Sequence, residues 1–494
     1  MYINNKILIG KNENTETYIL PEKANRHGII TGASGSGKTI TLKVIAESFS
    51  DASVPVFLVD VKGDLAGMCI KGEMNENIEK RVNNLNLEGF ELKNYPTHFW
   101  DVYGESGHPI RTTVSNIGAK LLSRMLNLTD AQEGVLTIIF KIAEDEKLEI
   151  VDLKDLRAML TYVGDKRKEY TLNYGNITLQ SIGAIQRNLL SLEEEGGDYF
   201  FGKPEFNIKD FMKYNSTDGR GFINILHAAT LFKKPTLYAT FLLWLLDSLY
   251  NEMPEVGDLD KPKLVFFIDE AHLLFSEMPD HMIKNIISIV KLIRSKGIGL
   301  YFISQSPSDI PDEILSQLGN RVQHVLRYYT KSDAKAIKAA CDSFRENPNF
   351  NTEDAIKELE TGEALVSFQN ENGEPSIVEK VTILPPQSKM GTIDDETRNN
   401  VIKSDMFYQK YENKIDNESA FEKINDNKIM EENVVNEETR VLKKDSDEVK
   451  ITKTTTPKKK KKSSIEKATN KVTNSALSTL GRKIGNSIFK GLFK

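Results

Sequence analysis

Residues 32–39 read Gly32-Ala33-Ser34-Gly35-Ser36-Gly37-Lys38-Thr39, matching G-x-x-x-x-G-K-[ST] at every fixed position. Residues this small let backbone N–H groups curl around a polyphosphate. Lys38 has the reach for the β/γ-phosphates, and Thr39 offers a hydroxyl to Mg²⁺. An apolar run at residues 28–31 precedes the loop. Residues 40–49, from Ile40 onward, can continue as a helix whose positive end faces the anion. Strand, loop and helix stand in the order that phosphate binding requires. The predicted ligands are ATP and Mg²⁺, held by Gly32 through Ile40.

A second cluster ends the apolar run Leu264-Val-Phe-Phe-Ile268 with Asp269-Glu270. A buried strand that delivers two acids to a sheet edge is the Walker B pattern. Asp269 would bind Mg²⁺, and Glu270 would polarise the water that attacks the γ-phosphate. Ser304-Gln305 closes the next apolar strand, where the Gln305 amide can sense the γ-phosphate or the attacking water. Asp60 ends the strand after the phosphate-loop helix; its role is open between supporting the ligand and forming a turn. Ring ATPases often complete their site with an arginine from a neighbour, and three candidates occur: Arg294, Arg321 and Arg327. Arg294 is also placed to cap a helix ahead of Gly297. Asp269-Glu-Ala-His272 spells DEAH, but there is no Q-x-x-G-R-x-x-R stretch and no second lobe of comparable size after Gln305, which argues against a DEAH-box helicase, and His272 reads as a local contact.

The elements around these residues alternate strand and helix, and several strands are continuous apolar runs. That pattern predicts an α/β fold: a P-loop core with a mainly parallel sheet covered on both faces. Residues 1–27 read as a short β segment with a hairpin. Residues 28–112 and 216–386 are the two parts of the core. Residues 113–215 keep a helical period (Ile117, Leu121, Leu122, Met125; Val135, Ile138, Ile139, Ile142) and read as a helical insertion. Residues 387–474 read as a low-complexity linker, with a helical turn allowed near 406–411. Residues 475–494 read as a basic amphipathic helix.

At 494 residues the chain can bury a sizeable core, and its net charge of −6 conceals an uneven distribution. Residues 451–494 carry a net +11 and the remainder −17. A basic tail on an acidic body points to DNA, a membrane surface or a protein partner. The two cysteines, Cys69 and Cys341, lack metal-ligand spacing and suit a reducing cytoplasm. No signal peptide or spanning segment is evident, so a cytoplasmic location is expected.

In ordered motifs the chain resembles the HerA/FtsK superfamily of ATPases, and within it the bacterial HerA-like (YjgR-like) branch. The resemblance covers roughly residues 20–390. It rests on residues 27–39, Phe57-Leu-Val-Asp-Val-Lys-Gly-Asp-Leu-Ala-Gly67, Phe267-Ile-Asp-Glu-Ala-His272, Arg294-Ser-Lys-Gly-Ile-Gly299, Phe302-Ile-Ser-Gln-Ser-Pro-Ser-Asp-Ile-Pro311, Gly319-Asn-Arg-Val-Gln-His-Val-Leu-Arg327 and Gly362-Glu-Ala-Leu-Val366. It implies a RecA-like core, a homohexameric ring, Mg-ATP hydrolysis between subunits and translocation of DNA. It also supports Arg294 as the trans-acting finger and Gln305 as the sensor. Two departures are expected: no room for the N-terminal β-barrel of archaeal HerA, and no membrane anchor of the FtsK kind. The alternative is an ATPase that acts on a protein or membrane partner through residues 451–494.

Overall fold

The computed structural model describes residues 1–427, apart from 258 and 279. Among them, thirteen strands join one sheet: β1 (Tyr2–Ile3), β2 (Lys6–Lys11), β3 (Glu16–Ile19), β4 (Gly28–Thr31), β5 (Val56–Asp60), β6 (Thr97–Asp101), β7 (His108–Pro109), β8 (Ile223–His227), β9 (Leu264–Ile268), β10 (Ile298–Ser304), β11 (Asn320–Gln323), β12 (Glu363–Ser367) and β13 (Glu379–Ile383). Their order is β1-β2-β13-β12-β11-β4-β10-β9-β5-β8-β6-β7, with β3 on β2. From β11 to β7 every pairing is parallel. The strands from β12 to β1 are antiparallel additions at one edge.

β4, β5, β9 and β10 are buried at every position, as continuous apolar runs in a sheet covered on both faces must be. The pleat sorts their side chains. Phe57, Val59, Phe266, Ile268 and Phe302 face one core; Val56, Leu58, Val265, Phe267 and Ile303 face the other. The first core is shared with the helices Val114–Met125, Asp130–Asp145, Leu153–Asp165, Leu179–Glu194, Pro235–Glu252 and Asp280–Ile293. The second holds the phosphate-loop helix Lys38–Asp51 through Leu42, Ile45 and Phe49.

Residues 387–426 depart from the linker expected for 387–474. Helix Asp395–Ser404 and the turn Tyr408–Tyr411 pack on the core, and Ile393, Ile402, Phe407, Tyr411, Ala420 and Ile424 are buried. Met1–Asp426 accordingly form one compact unit. Two kinds of contact hold the segment. Lys43 donates to the Lys389 carbonyl at 2.6 Å, while Glu47 accepts the Gln387 and Ser388 N–H groups at 2.8 and 3.1 Å. Burial pushes the Lys43 pKa down and that of Glu47 up, so both charges need these partners. Phe407 and Tyr411 also stack around Trp100 and Phe206. The apolar residues are too sparse to set up a period along the chain, yet each reaches a prepared socket. The remainder of the expected linker and the amphipathic helix at 475–494 lie outside the described residues.

Tyr411 donates to Asp210 at 2.5 Å and accepts the Asn207 N–H at 3.1 Å. Tyr411→Ala should therefore lower the unfolding free energy by about 3–5 kcal/mol, the cost of deleting a buried aromatic. Chemical denaturation checks this; an unchanged midpoint would mean that the segment behaves as a linker.

Candidate nucleotide site

β4 runs directly into the phosphate loop, and the helix beginning at Lys38 follows. The backbone at Gly35 and Gly37 is left-handed (φ 74° and 118°), a conformation that glycine adopts without strain. Neighbouring strand ends clamp the loop. Gly32 N–H donates to the Gln305 carbonyl at 3.2 Å and Ala33 N–H to that of Val325 at 2.9 Å. On the far side, Gly362 N–H donates to the Ser36 carbonyl at 3.1 Å. Lys38 folds over the mouth of the loop and donates to the Gly32 and Ala33 carbonyls at 2.7 and 3.1 Å. Ser36 Oγ is buried without a hydrogen-bond partner, an orphaned donor that a phosphate oxygen would satisfy. Thr39 and Ile40 occupy the first helical turn and are half-buried.

The sheet brings the acids to the same edge. β4 leads on to β5 on one side while β10 leads on to β11 on the other, so the direction of winding reverses between β4 and β10, where ligands bind in such sheets. β9 ends beside β10 and presents Asp269 and Glu270. Asp269 is 6% exposed, and burial, with the Glu270 charge beside it, raises its pKa to about 7. Its Oδ1 accepts the Glu270 N–H at 2.9 Å, while Glu270 takes a left-handed backbone (φ 49°). Burial lowers the Lys38 pKa, and the Glu270 and Asp269 charges oppose that shift. Among the described residues no cluster of three His, Cys, Asp or Glu side chains can hold a metal alone. A single hydroxyl and a single carboxylate, such as Thr39 and Asp269 offer, are the sparse oxygen donors that suit Mg²⁺ completed by substrate phosphates and water.

Other sequence candidates separate. The Gln305 side chain is exposed at the end of β10, while its carbonyl holds Gly32. Asp60 forms a turn: its carboxylate accepts the N–H groups of Gly63 at 2.7 Å and Leu65 at 3.1 Å. His272 Nδ1 lies 3.3 Å from Glu270 Oε2 without hydrogen-bond geometry. Arg294 follows the helix Asp280–Ile293 and precedes β10, at the amino edge of the sheet, opposite the phosphate loop of its own chain. Arg321 is held by the Leu318 and Leu315 carbonyls, both at 3.0 Å, so burial in its own fold accounts for it. Arg327 is exposed beyond the carboxyl end of β11.

Two residues at the site lie in the family-like stretches 57–67 and 319–327, but sequence alone gives them no role. Lys62, two positions beyond β5, forms an ion pair with Glu270. His324, buried just after β11, packs beneath the loop: its Nε2 meets Thr41 Oγ1 at 2.8 Å and its Nδ1 the Glu363 carbonyl at 2.8 Å. A Cβ on Gly32 would come within 2.5 Å of His324 Cβ, so this close approach requires glycine. The signal for His324 is its place in the family-like stretch 319–327, which marks the segment but not which of its side chains meets the loop.

These features define a P-loop NTPase with a RecA-like sheet. The family model Helicase HerA-like C-terminal matches residues 5–494, and the chain belongs to that family. It is 27% identical over 374 residues to the DNA double-strand break repair helicase HerA of Sulfurisphaera tokodaii, covering 73% of this chain and 66% of the relative. Identity to the protein of the same name from Saccharolobus solfataricus is 24% over 362 residues, covering 73% and 64%. The chain thus spans just under two thirds of these relatives' length. Among solved structures, the bacterial conjugative coupling protein TrwBdeltaN70, in its trigonal form with sulphate, superposes with TM-score 0.49 at 13% identity, covering 79% of this chain and 92% of that one. Among the described residues no helix is long and apolar enough to cross a membrane.

Burial holds both His324 and His27, at opposite ends of β4, neutral, with pKa values lowered to about 4. The unfolded chain takes up these protons near 6.5, so the stability from each neutral imidazole is complete above that value and is lost as pH falls toward 4. At pH 5 each should cost about 2 kcal/mol relative to pH 7.5. Denaturant midpoints at the two pH values check this, and His324→Gln should remove about 2 kcal/mol of acid destabilisation from the difference.

Proposed function

We propose that the chain is a Mg-ATP-hydrolysing ring motor of the HerA type that acts on DNA. The observation that carries the reading is the convergence of the phosphate loop, Asp269 and Glu270 on one edge of the sheet, on strands separated only by β10. Mg²⁺, when bound, would neutralise phosphate charge and would be held by Thr39 and Asp269. Lys38 leaves the loop carbonyls for the β/γ-phosphates, and Ser36 with the loop N–H groups takes the remaining oxygens. Glu270 orients and polarises the attacking water; Gln305, at the end of β10, reads the γ-phosphate. The position of Arg294, at the sheet edge remote from its own loop, supports a role at a neighbour's site rather than its own. That placement favours a ring, with a hexamer as the expected state. DNA as the track is supported by membership of the HerA-like helicase family and by the names of the relatives.

The net charge of +11 on residues 451–494 favours a second reading. Those residues could tether the ATPase to an anionic membrane or an acidic protein partner in place of DNA, in a cytoplasmic setting.

ATP turnover with and without duplex DNA, with particle mass measured under the same conditions, separates the readings. DNA should stimulate turnover, and the stimulation should fall steeply with salt. Glu270→Gln should lower turnover about 10²- to 10⁴-fold while ATP still binds, whereas Lys38→Ala should lose binding as well. Arg294→Ala and Lys38→Ala, each inactive alone, should recover part of the activity when mixed into one ring. Turnover indifferent to every nucleic acid would favour the second reading.

A further inference from the structure

We infer that Lys62 is a positioning residue for hydrolysis, acting through Glu270; this rests on the ATPase reading above. β5 and β9 are parallel neighbours with Val59 opposite Ile268, so the chain segments after Asp60 and after Ile268 leave the sheet side by side. Lys62 is not on a loose loop. Asp60 grips the Gly63 and Leu65 N–H groups, and Gly63 takes the left-handed backbone (φ 78°) that turns the chain back. This short, braced loop presents the Lys62 ammonium to Glu270 Oε1.

Glu270 needs such a partner. Its backbone is in a region that non-glycine residues rarely occupy, and its carboxylate is only 10% exposed. The buried Asp269 carboxylate is adjacent, and Asp64 Oδ1 is buried nearby without a hydrogen-bond partner. A γ-phosphate held by Lys38 brings further negative charge to the same edge. Left alone, the Glu270 side chain would be repelled toward solvent. Lys62 supplies the opposing charge and fixes the carboxylate where it can meet a water at the phosphate. Although burial works to lower the Lys62 pKa, the hydrogen bond and charge of Glu270 raise it overall, so the ammonium stays charged. An exposed lysine pair contributes little on average, but here the carboxylate partner is enclosed and the loop is braced.

The full chain is compared as wild type, Lys62→Ala, Lys62→Arg, Glu270→Gln and the double variant Lys62→Ala/Glu270→Gln. The readouts are kcat, KM and the Kd of a fluorescent methylanthraniloyl-ATP. Lys62→Ala should lower kcat about 10- to 100-fold, the usual penalty for a displaced catalytic group, with Kd unchanged within about threefold. Lys62→Arg should restore most of kcat, and the double variant should be no slower than Glu270→Gln alone. An unchanged or raised kcat in Lys62→Ala, or losses that multiply in the double variant, would overturn the inference. If the wild type turns over ATP and Lys62→Ala does so equally, only the role of Lys62 falls. A wild type that binds but never hydrolyses ATP sinks the functional reading itself.

Discussion

The site depends on one strand. β4 is hydrogen-bonded in parallel register to β10 on one side and β11 on the other, with Thr31 opposite both Ser304 and Gln323. Because all three strands stop at the same level, the residues that follow them must share one edge. The loop opening at Gly32 is therefore stitched to Gln305 and Val325 by the backbone, and His324 closes the space beneath it. A phosphate loop needs fixed N–H groups rather than a flexible coil, and the parallel sheet supplies that rigidity.

Charge is the second constraint. Lys38 and Lys62 lie close enough to Asp269 and Glu270 to feel their charges, and burial moves Lys38 and Asp269 away from their ordinary pKa values. For Lys38 and Asp269 the shift is the cost of removing a charged group from bulk water, and for Lys62 the Glu270 charge outweighs that cost. The same logic governs Lys43 and Glu47, where buried charges serve packing and tie residues 387–389 to the phosphate-loop helix.

Much of this was legible in order along the chain. Apolar runs ending in Thr31, Asp60, Asp269 and Ser304 announced parallel strands, because strands covered on both faces have no polar side to alternate. The phosphate loop and the paired acids are read from residue type and spacing, since their chemistry is local. The segment at 387–426 was not legible. Ile402, Phe407 and Tyr411 are too widely spaced to show a period, and only the existing sockets around Trp100 and Phe99 give them a place.

What the sequence by itself determined is the chemistry available: a phosphate loop, a hydroxyl and an acid of the kind that hold Mg²⁺, and a candidate base. These reside in short runs whose backbone geometry follows from their own residues. What only the tertiary structure decided is which side chains meet. Lys62 and Glu270, far apart in the chain, become partners because β5 and β9 are neighbours. Arg321 is spent on its own backbone, and Arg294 stands at the edge away from its own phosphate loop. Strand order is set by burial of the whole sheet, a property that no single stretch of the chain contains.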